Sequence, residues 1–562
     1  MAIDDPVQEP EPDTASGTAS DTASDTGPAK RAEPAEPAEP ARSSPRGTTG
    51  PATGTTGSTT GTTGWAALRP LVLRLHFYAG LLIAPLLLTA AVSGFLYAFS
   101  FQAEKVVYRH ELRAPVGDRA LPLGDQLNAA RTAFPDGTIT SVRIPDEAAA
   151  TTRVLMSGPG VEEGKSLAVF VDPYTAEVRG TLTSYGTSAA LPLRTWLSEL
   201  HRHLHLGEPG RVYSELAASW LWVVALGGLL LWLGRRRASR RALLLPESGA
   251  TGRRRTLSLH GAVGMWAVTG LVLLSATGLT WSKYAGENVT AIKDQLGSGT
   301  PVVSATLEGR GGDTNGGGTG SGGGGAGGGH EGHEGMTGME DMPGMDHMEG
   351  MEAKDIGIDL VVVAARQAGL DGPIAVTMPQ KDSGYVVAQT DQQFPVRLDS
   401  VSVDPASGMI MDELRFADYP LLAKLTRFGI DAHMGLLLGL PNQVALGALA
   451  LALILIIVWG YRMWWLRRPT KERRLGAGRA IPRGAWRRVP LTVLLPLAVA
   501  TALTGWFLPL LGISLLVFLA LDGAAGLLAR TRAARTAATA GAPAATGPGG
   551  DTGTGGTGSL EP

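Results

Sequence analysis

Four stretches of this chain are apolar for about the thickness of a bilayer and a fifth for longer, and that restricts the backbone more than any other feature. Hydrocarbon offers no hydrogen-bond partner, so a segment crossing it must satisfy its own N–H and C=O groups, which a helix does. Runs near residues 75–100, 213–234, 259–282 and 442–466 each fit one span of about 20 residues at about 1.5 Å per residue. Region 489–527 is too long for one span; its interruption at Gly505 and Pro509 suggests a tight helical hairpin, or a single tilted span with an interfacial helix. Residues 1–64 carry almost no large apolar side chain and are expected to be a disordered tail. The first apolar run, from Leu71 to Phe101, exceeds a secretory h-region and is expected to stay as a membrane helix.

Basic residues orient the spans. After the second span, Arg235 to Arg237, Arg240, Arg241 and Arg253 to Arg255 face a single acid, Glu247. After the fourth, nine Lys and Arg between Arg467 and Arg488 face only Glu472. Both loops are therefore expected in the cytoplasm, with both termini, and the long segments 101–212 and 283–441 outside. The expected order starts with a disordered cytoplasmic tail (1–64), the first transmembrane helix (65–101) and an outer domain (102–192). Next come an outer His motif with the second transmembrane helix (193–234), an Arg-rich cytoplasmic loop (235–258) and the third helix (259–282). A low-complexity linker (283–353), a second outer domain (354–420) and a second outer His motif with the fourth helix (421–466) follow. A basic cytoplasmic loop (467–488), a transmembrane hairpin (489–527) and a disordered tail (528–562) complete the expected order.

Aligned side by side, the odd spans repeat one another. Leu75-His76 is followed by Gly80 and Gly94, and Leu259-His260 by Gly264 and Gly278 at the same offsets of four and eighteen from the histidine. Upstream of the even spans, His201 precedes Gly207 and Pro209 as His433 precedes Gly439 and Pro441. The outer segments repeat an amphipathic helix (near 123–133 and 358–368) and short strands ending at Val169-Phe170-Val171-Asp172-Pro173 and Val401-Ser402-Val403-Asp404-Pro405, and each reads as a small α+β domain. The expected fold class is an α-helical polytopic membrane protein with two small α+β extracytoplasmic domains, built as a tandem parallel repeat about an axis along the membrane normal.

Four of the ten histidines occupy these equivalent positions. His76 and His260 fall at the cytoplasmic ends of outward-running helices, and His201 and His433 at the outer ends of inward-running ones. A lone histidine at a helix end is often an interfacial anchor. Four at duplicated offsets form two facing pairs, which is what bis-His ligation of two b-type haems needs, and glycines would let a macrocycle lie against the helices. His203 and His205 compete with His201 as the outer ligand, the repeat favouring His201; His110, with no counterpart, reads as a solvated loop residue. Cysteine is absent, which excludes disulfides, Cys-ligated zinc and Cys-held iron–sulfur clusters. A net charge of −2 gives no reason to expect a nucleic-acid partner.

These residues resemble the PepSY-associated transmembrane family, which includes bacterial inner-membrane siderophore reductases and proteins described as iron-regulated membrane proteins. The resemblance covers roughly residues 69–468 and rests on Leu75-His76-Phe77-Tyr78-Ala79-Gly80, Leu200-His201-Arg202 with Gly207, Leu259-His260-Gly261, His433 with Gly439, and the two Asp-Pro turns. It implies PepSY-like outer domains and a di-haem reductase that moves electrons to a ferric chelate outside, with His76, His260, His201 and His433 as axial ligands. Ala432 departs from the leucine that precedes the other three histidines.

Within the linker, His330, His333, Met336, Met339, Met342, Met345, His347, Met348 and Met351 follow a Gly-rich stretch. Thioethers select Cu(I), imidazole also accepts Cu(II), and flexible glycines let such ligands wrap an ion; a featureless biased linker is the bland alternative. The expected function is a transmembrane haem oxidoreductase reducing an extracytoplasmic ferric siderophore or cupric ion. Its partners are membrane lipid, an electron donor such as a quinol or a separate reductase, and an extracytoplasmic metal chelate. The alternative is a non-catalytic sensor or scaffold whose outer domains bind a peptidase or a metal. A transporter is disfavoured by the scarcity of midplane charges, and a nucleotide-binding site by the absence of a strand before Gly476 and Gly478.

Overall fold

The structure is a computed structural model, described for residues 64–186, 188–235, 240–307, 355–380, 382–467 and 489–540. The first apolar run forms α1 (Gly64–Leu82) and α2 (Ala84–Val107). Hydrogen bonds from Ile83 N to Ala79 O and from Leu87 N to Ile83 O carry the ladder across the junction, so the two make one rod interrupted at Pro85, which has no N–H to donate. Then come α3 (Arg109–Leu112), α4 (Leu123–Ala133), β1 (Thr138–Ile144), β2 (Thr152–Ser157), β3 (Lys165–Val171) and β4 (Val178–Tyr185). They are followed by α5 (Pro192–His203), α6 (Glu208–Leu233), α7 (Gly252–Leu279) and α8 (Tyr284–Gln295). The second outer segment holds α9 (Ile358–Gln367), β5 (Ile374–Thr377), β6 (Tyr385–Gln389), β7 (Ser400–Val403) and β8 (Ile410–Leu414). The chain continues through α10 (Leu421–Met434), α11 (Leu440–Trp465), α12 (Leu491–Phe507) and α13 (Pro509–Ala540).

Among the described residues, five helices are long and apolar enough to cross a membrane: α2, α6, α7, α11 and α13. The protein is a polytopic membrane protein. Ala84, Leu87 and Ala91 of α2 pack with Ala217 and Leu221 of α6, Ala267 and Leu271 of α7, and Leu453 and Ile457 of α11. The alanines let four backbones approach where lipid supplies no hydrophobic drive. At the turn between α12 and α13, a Cβ on Gly512 would lie within 3 Å of the Gly505 backbone, so the two helices touch there. Asp522 of α13 forms an ion pair with the buried Arg74 of α1, and Trp220 Nε1 of α6 donates to Ser514 Oγ at 2.8 Å, so the last helices are docked on the bundle by polar contacts.

Outside the spans, the sequence suggests two separate small domains. Instead the eight strands form one antiparallel sheet, in the order β4-β3-β2-β1-β5-β6-β7-β8. Val142 of β1 lies opposite Val376 of β5, and the pairing covers two edges that would otherwise present open hydrogen-bonding groups. Alternate strand residues, among them Val142, Val154, Val376 and Val401, are fully buried against Leu127 and Ala130 of α4 and Val361 and Ala365 of α9. Asp359 of α9 ties the two segments further, its carboxylate accepting from Leu123 N at 2.8 Å and Gly124 N at 3.1 Å at the start of α4. Asp359→Ala leaves these N–H groups without that cap and is expected to cost about 1 kcal/mol. Thermal unfolding in detergent should show a lower midpoint for Asp359→Ala than for Asp359→Asn, which retains one acceptor.

Candidate functional site

His76 projects from α1, His260 from the start of α7, and His201 and His433 from the ends of α5 and α10. The structure brings His76 to His260, with ring centres 6.3 Å apart, and His201 to His433, with ring centres 6.4 Å apart. In both pairs the ring planes are steeply inclined, at 81° and 60°.

Each imidazole is tied down through Nδ1. His76 Nδ1 lies 2.9 Å from Val224 O and His260 Nδ1 2.9 Å from Ile456 O. A carbonyl only accepts, so both Nδ1 atoms carry the proton. His201 Nδ1 meets Ser93 Oγ at 3.0 Å, and His433 Nδ1 meets Thr277 Oγ1 at 2.8 Å. Those hydroxyls spend their single hydrogen on Thr89 O and Leu273 O, both at 2.8 Å, and therefore accept from the imidazoles. All four rings thus hold the same tautomer, with Nε2 left carrying the lone pair. On α5 and α10, burial holds both imidazoles below the usual histidine range, His433 at about 3 with His201 adding to the effect, so both are neutral at pH 7.

Glycines lie against the rings. A Cβ on Gly94 would sit 3.3 Å from His201 Cε1, one on Gly278 3.4 Å from His433 Cε1, and one on Gly228 2.9 Å from His76 Cε1. Gly460 stands in the corresponding place for His260, with more room at 3.9 Å. Gly80 and Gly264 have no atom within 4 Å of an added Cβ.

Two nitrogens on opposite sides of one metal, each about 2 Å from it and about 1.1 Å from its own ring centre, place the ring centres about 6.2 Å apart. Each pair supplies two nitrogens and, among the described residues, no cluster of three or more His, Cys, Asp or Glu could hold an ion. A tetrahedral site needs four ligands, so a metal between such a pair must bring its remaining ligands with it.

His205 is engaged elsewhere, with Nδ1 3.3 Å from Glu199 and its ring 5.1 Å from Trp196; His203 lies beside it. His110 meets Arg179. The residues from His330 to Met351 lie outside the described ones. Ser93 and Thr277 were not singled out from the sequence, yet each stands 17 residues after a helix histidine and just before a glycine of the duplicated motif. The Val224 and Ile456 carbonyls each lie 23 residues after an outer histidine.

The PepSY-associated TM region family matches residues 73–467, a span that holds all four histidines. The chain belongs to that family. No curated protein matches it. In this PepSY-associated TM protein the matched span stops before α12 and α13.

Gly228→Ala pushes a methyl into the anchored His76 ring and should destabilise the protein by about 1–3 kcal/mol, whereas Gly460→Ala should be tolerated. Paired thermal melts in detergent check this, and equal midpoints would contradict it.

Proposed function

We propose that this PepSY-associated TM protein is a transmembrane di-haem b oxidoreductase, passing electrons across the cytoplasmic membrane to an extracytoplasmic ferric-siderophore or cupric acceptor. The observation that carries the reading is the pair of histidine pairs, each at the spacing of two axial ligands on one metal and each with Nε2 left free by an anchored Nδ1. A b-type haem takes two protein nitrogens and brings four of its own, which agrees with donor sets of two. The open faces at Gly80 and Gly264 favour a flat group beside the helices. When bound, the haems supply one-electron carriers; the protein holds and orients them.

Matching offsets of histidine, anchor and glycine support a tandem parallel repeat, as does the arrangement of the sheet about its central β1–β5 pair. The basic loops support a cytoplasmic location for the His76–His260 end and for both termini. His260 and Thr277, the anchor of His433, are 17 residues apart on α7, about 25 Å of helix, which takes the two pairs across most of a hydrocarbon core of about 30 Å. No nucleotide-binding unit accompanies the spans among the described residues, so a quinol or a separate reductase would supply the electrons.

Purified protein from haem-supplied cells should show a b-type spectrum with two haems per chain, and His76→Ala, His260→Ala, His201→Ala or His433→Ala should each leave about one. His203→Ala and His205→Ala should retain both. Colourless wild-type protein would end the redox reading. For the linker, we propose copper binding by the His330–Met351 segment; deleting it should lower the bound copper per chain, and unchanged binding would refute that role.

A further inference from the structure

The loop joining β6 to β7 carries an aromatic ring on its outside. Asp391 and Arg397 pair across its base, Arg397 N donating to Asp391 O at 3.0 Å, and Gln393 N donates to the Asp391 carboxylate at 3.1 Å. Phe394 stands at the middle of this braced turn and is 66% exposed. A braced backbone keeps the ring from folding back onto the sheet, so in water its apolar area would stay hydrated, which is unfavourable.

The turn touches the end of a membrane span. Phe394 N donates to Leu437 O at 2.7 Å, and a Cβ on Gly439 would lie 3.4 Å from Gln393 Oε1. Leu438 and Leu440, on either side of that glycine, are 57% and 55% exposed. Beyond Leu440, α11 exposes Val444, Leu451, Leu455 and Val458, and these five positions fall on one helix face. Of the five spans α11 has the highest mean hydropathy, so this stripe faces lipid. Phe394 and Leu438 extend the stripe past the first turn of α11.

The counterpart loop, between β2 and β3, has a different character. It holds Glu162 and Glu163 and no aromatic residue. Lys165, at its end, pairs with Glu162 at 2.7 Å and with Glu199 of α5 at 3.7 Å. One loop thus meets the helices through charge and the other through apolar groups.

We propose that the β6–β7 loop is a membrane-insertion element: Phe394, with Leu438 and Leu440, enters the leaflet on the sheet side, and its partner is lipid. The occupant follows from continuity, since the patch ends a helix face that lipid already covers. Interfacial segments bury such groups at the boundary between headgroups and acyl chains. The sheet is then held on the bilayer by this loop as well as by its chain connections, whichever reaction the histidines serve.

The chain has no cysteine, so one introduced cysteine takes a nitroxide label uniquely. Full-length protein in phosphatidylcholine–phosphatidylglycerol nanodiscs is labelled at Val396→Cys, which keeps Phe394. Power-saturation spin resonance then compares oxygen, which concentrates in lipid, with a water-soluble nickel chelate. The Val396→Cys label should favour oxygen, as a Val444→Cys label on α11 does, while Glu163→Cys on the counterpart loop favours nickel. Adding Phe394→Asp should move the Val396→Cys label to the nickel side and leave the melting midpoint in detergent unchanged. A label that favours nickel while Phe394 is present overturns the proposal, as does one that stays in lipid after Phe394→Asp. Shielding from both reagents would put a second protein chain on the patch, and a lowered midpoint would show that the ring packs within the fold; either result also counts against insertion.

Discussion

An imidazole has two nitrogens, and fixing a proton on one by a hydrogen bond decides what the other can do. In this protein the decision is made four times. Val224 O and Ile456 O anchor one pair, and Ser93 and Thr277 hydroxyls anchor the other. Loss of an anchor would leave that ring free to turn, and the direction of its lone pair with it. Such outer partners set tautomer and ring orientation at metal sites generally.

The helical bundle holds those anchors in place. His76 on α1 meets a carbonyl of α6, and His260 on α7 meets one of α11, so each ring bridges two helices. The alanine-rich contacts among α2, α6, α7 and α11 bring the backbones close enough for the rings to reach. Polar links brace the same helices: Gln102 Nε2 of α2 donates to Gln443 Oε1 of α11 at 3.0 Å, and the Tyr461 hydroxyl donates to Leu81 O at 2.9 Å. Glu215 of α6 receives the N–H groups of Tyr284 and Ala285 and so caps α8, using a buried carboxylate as a structural acceptor. Charges in the spans are therefore partly architectural, as the Arg74–Asp522 pair also illustrates.

Much of this was legible along the chain because membrane helices obey local rules. The apolar runs containing α2, α6, α7 and α11 could be read from length and composition, since each satisfies its own backbone bonds. His76, His260, His201 and His433 could be found because duplication repeats their offsets from glycine and proline. Other features were not legible. The first rod runs on to Val107, past the apolar stretch, because a helix continues until something stops it, whether or not the residues are hydrophobic. Val224 and Ile456 contribute carbonyls, which every residue has, so their side chains carried no signal. The β1–β5 pairing joins strands more than two hundred residues apart, and strand edges look alike until they meet.

By itself the sequence determined the membrane class, the four principal helices and the four histidines, because those follow from hydropathy, helix length and repeated spacing. Only the tertiary structure decided that the outer strands share one sheet, which nitrogen of each imidazole is spoken for, and that the β6–β7 loop meets the end of α11. Those outcomes depend on distances between segments remote in the chain, and such distances are set by packing rather than by any local preference.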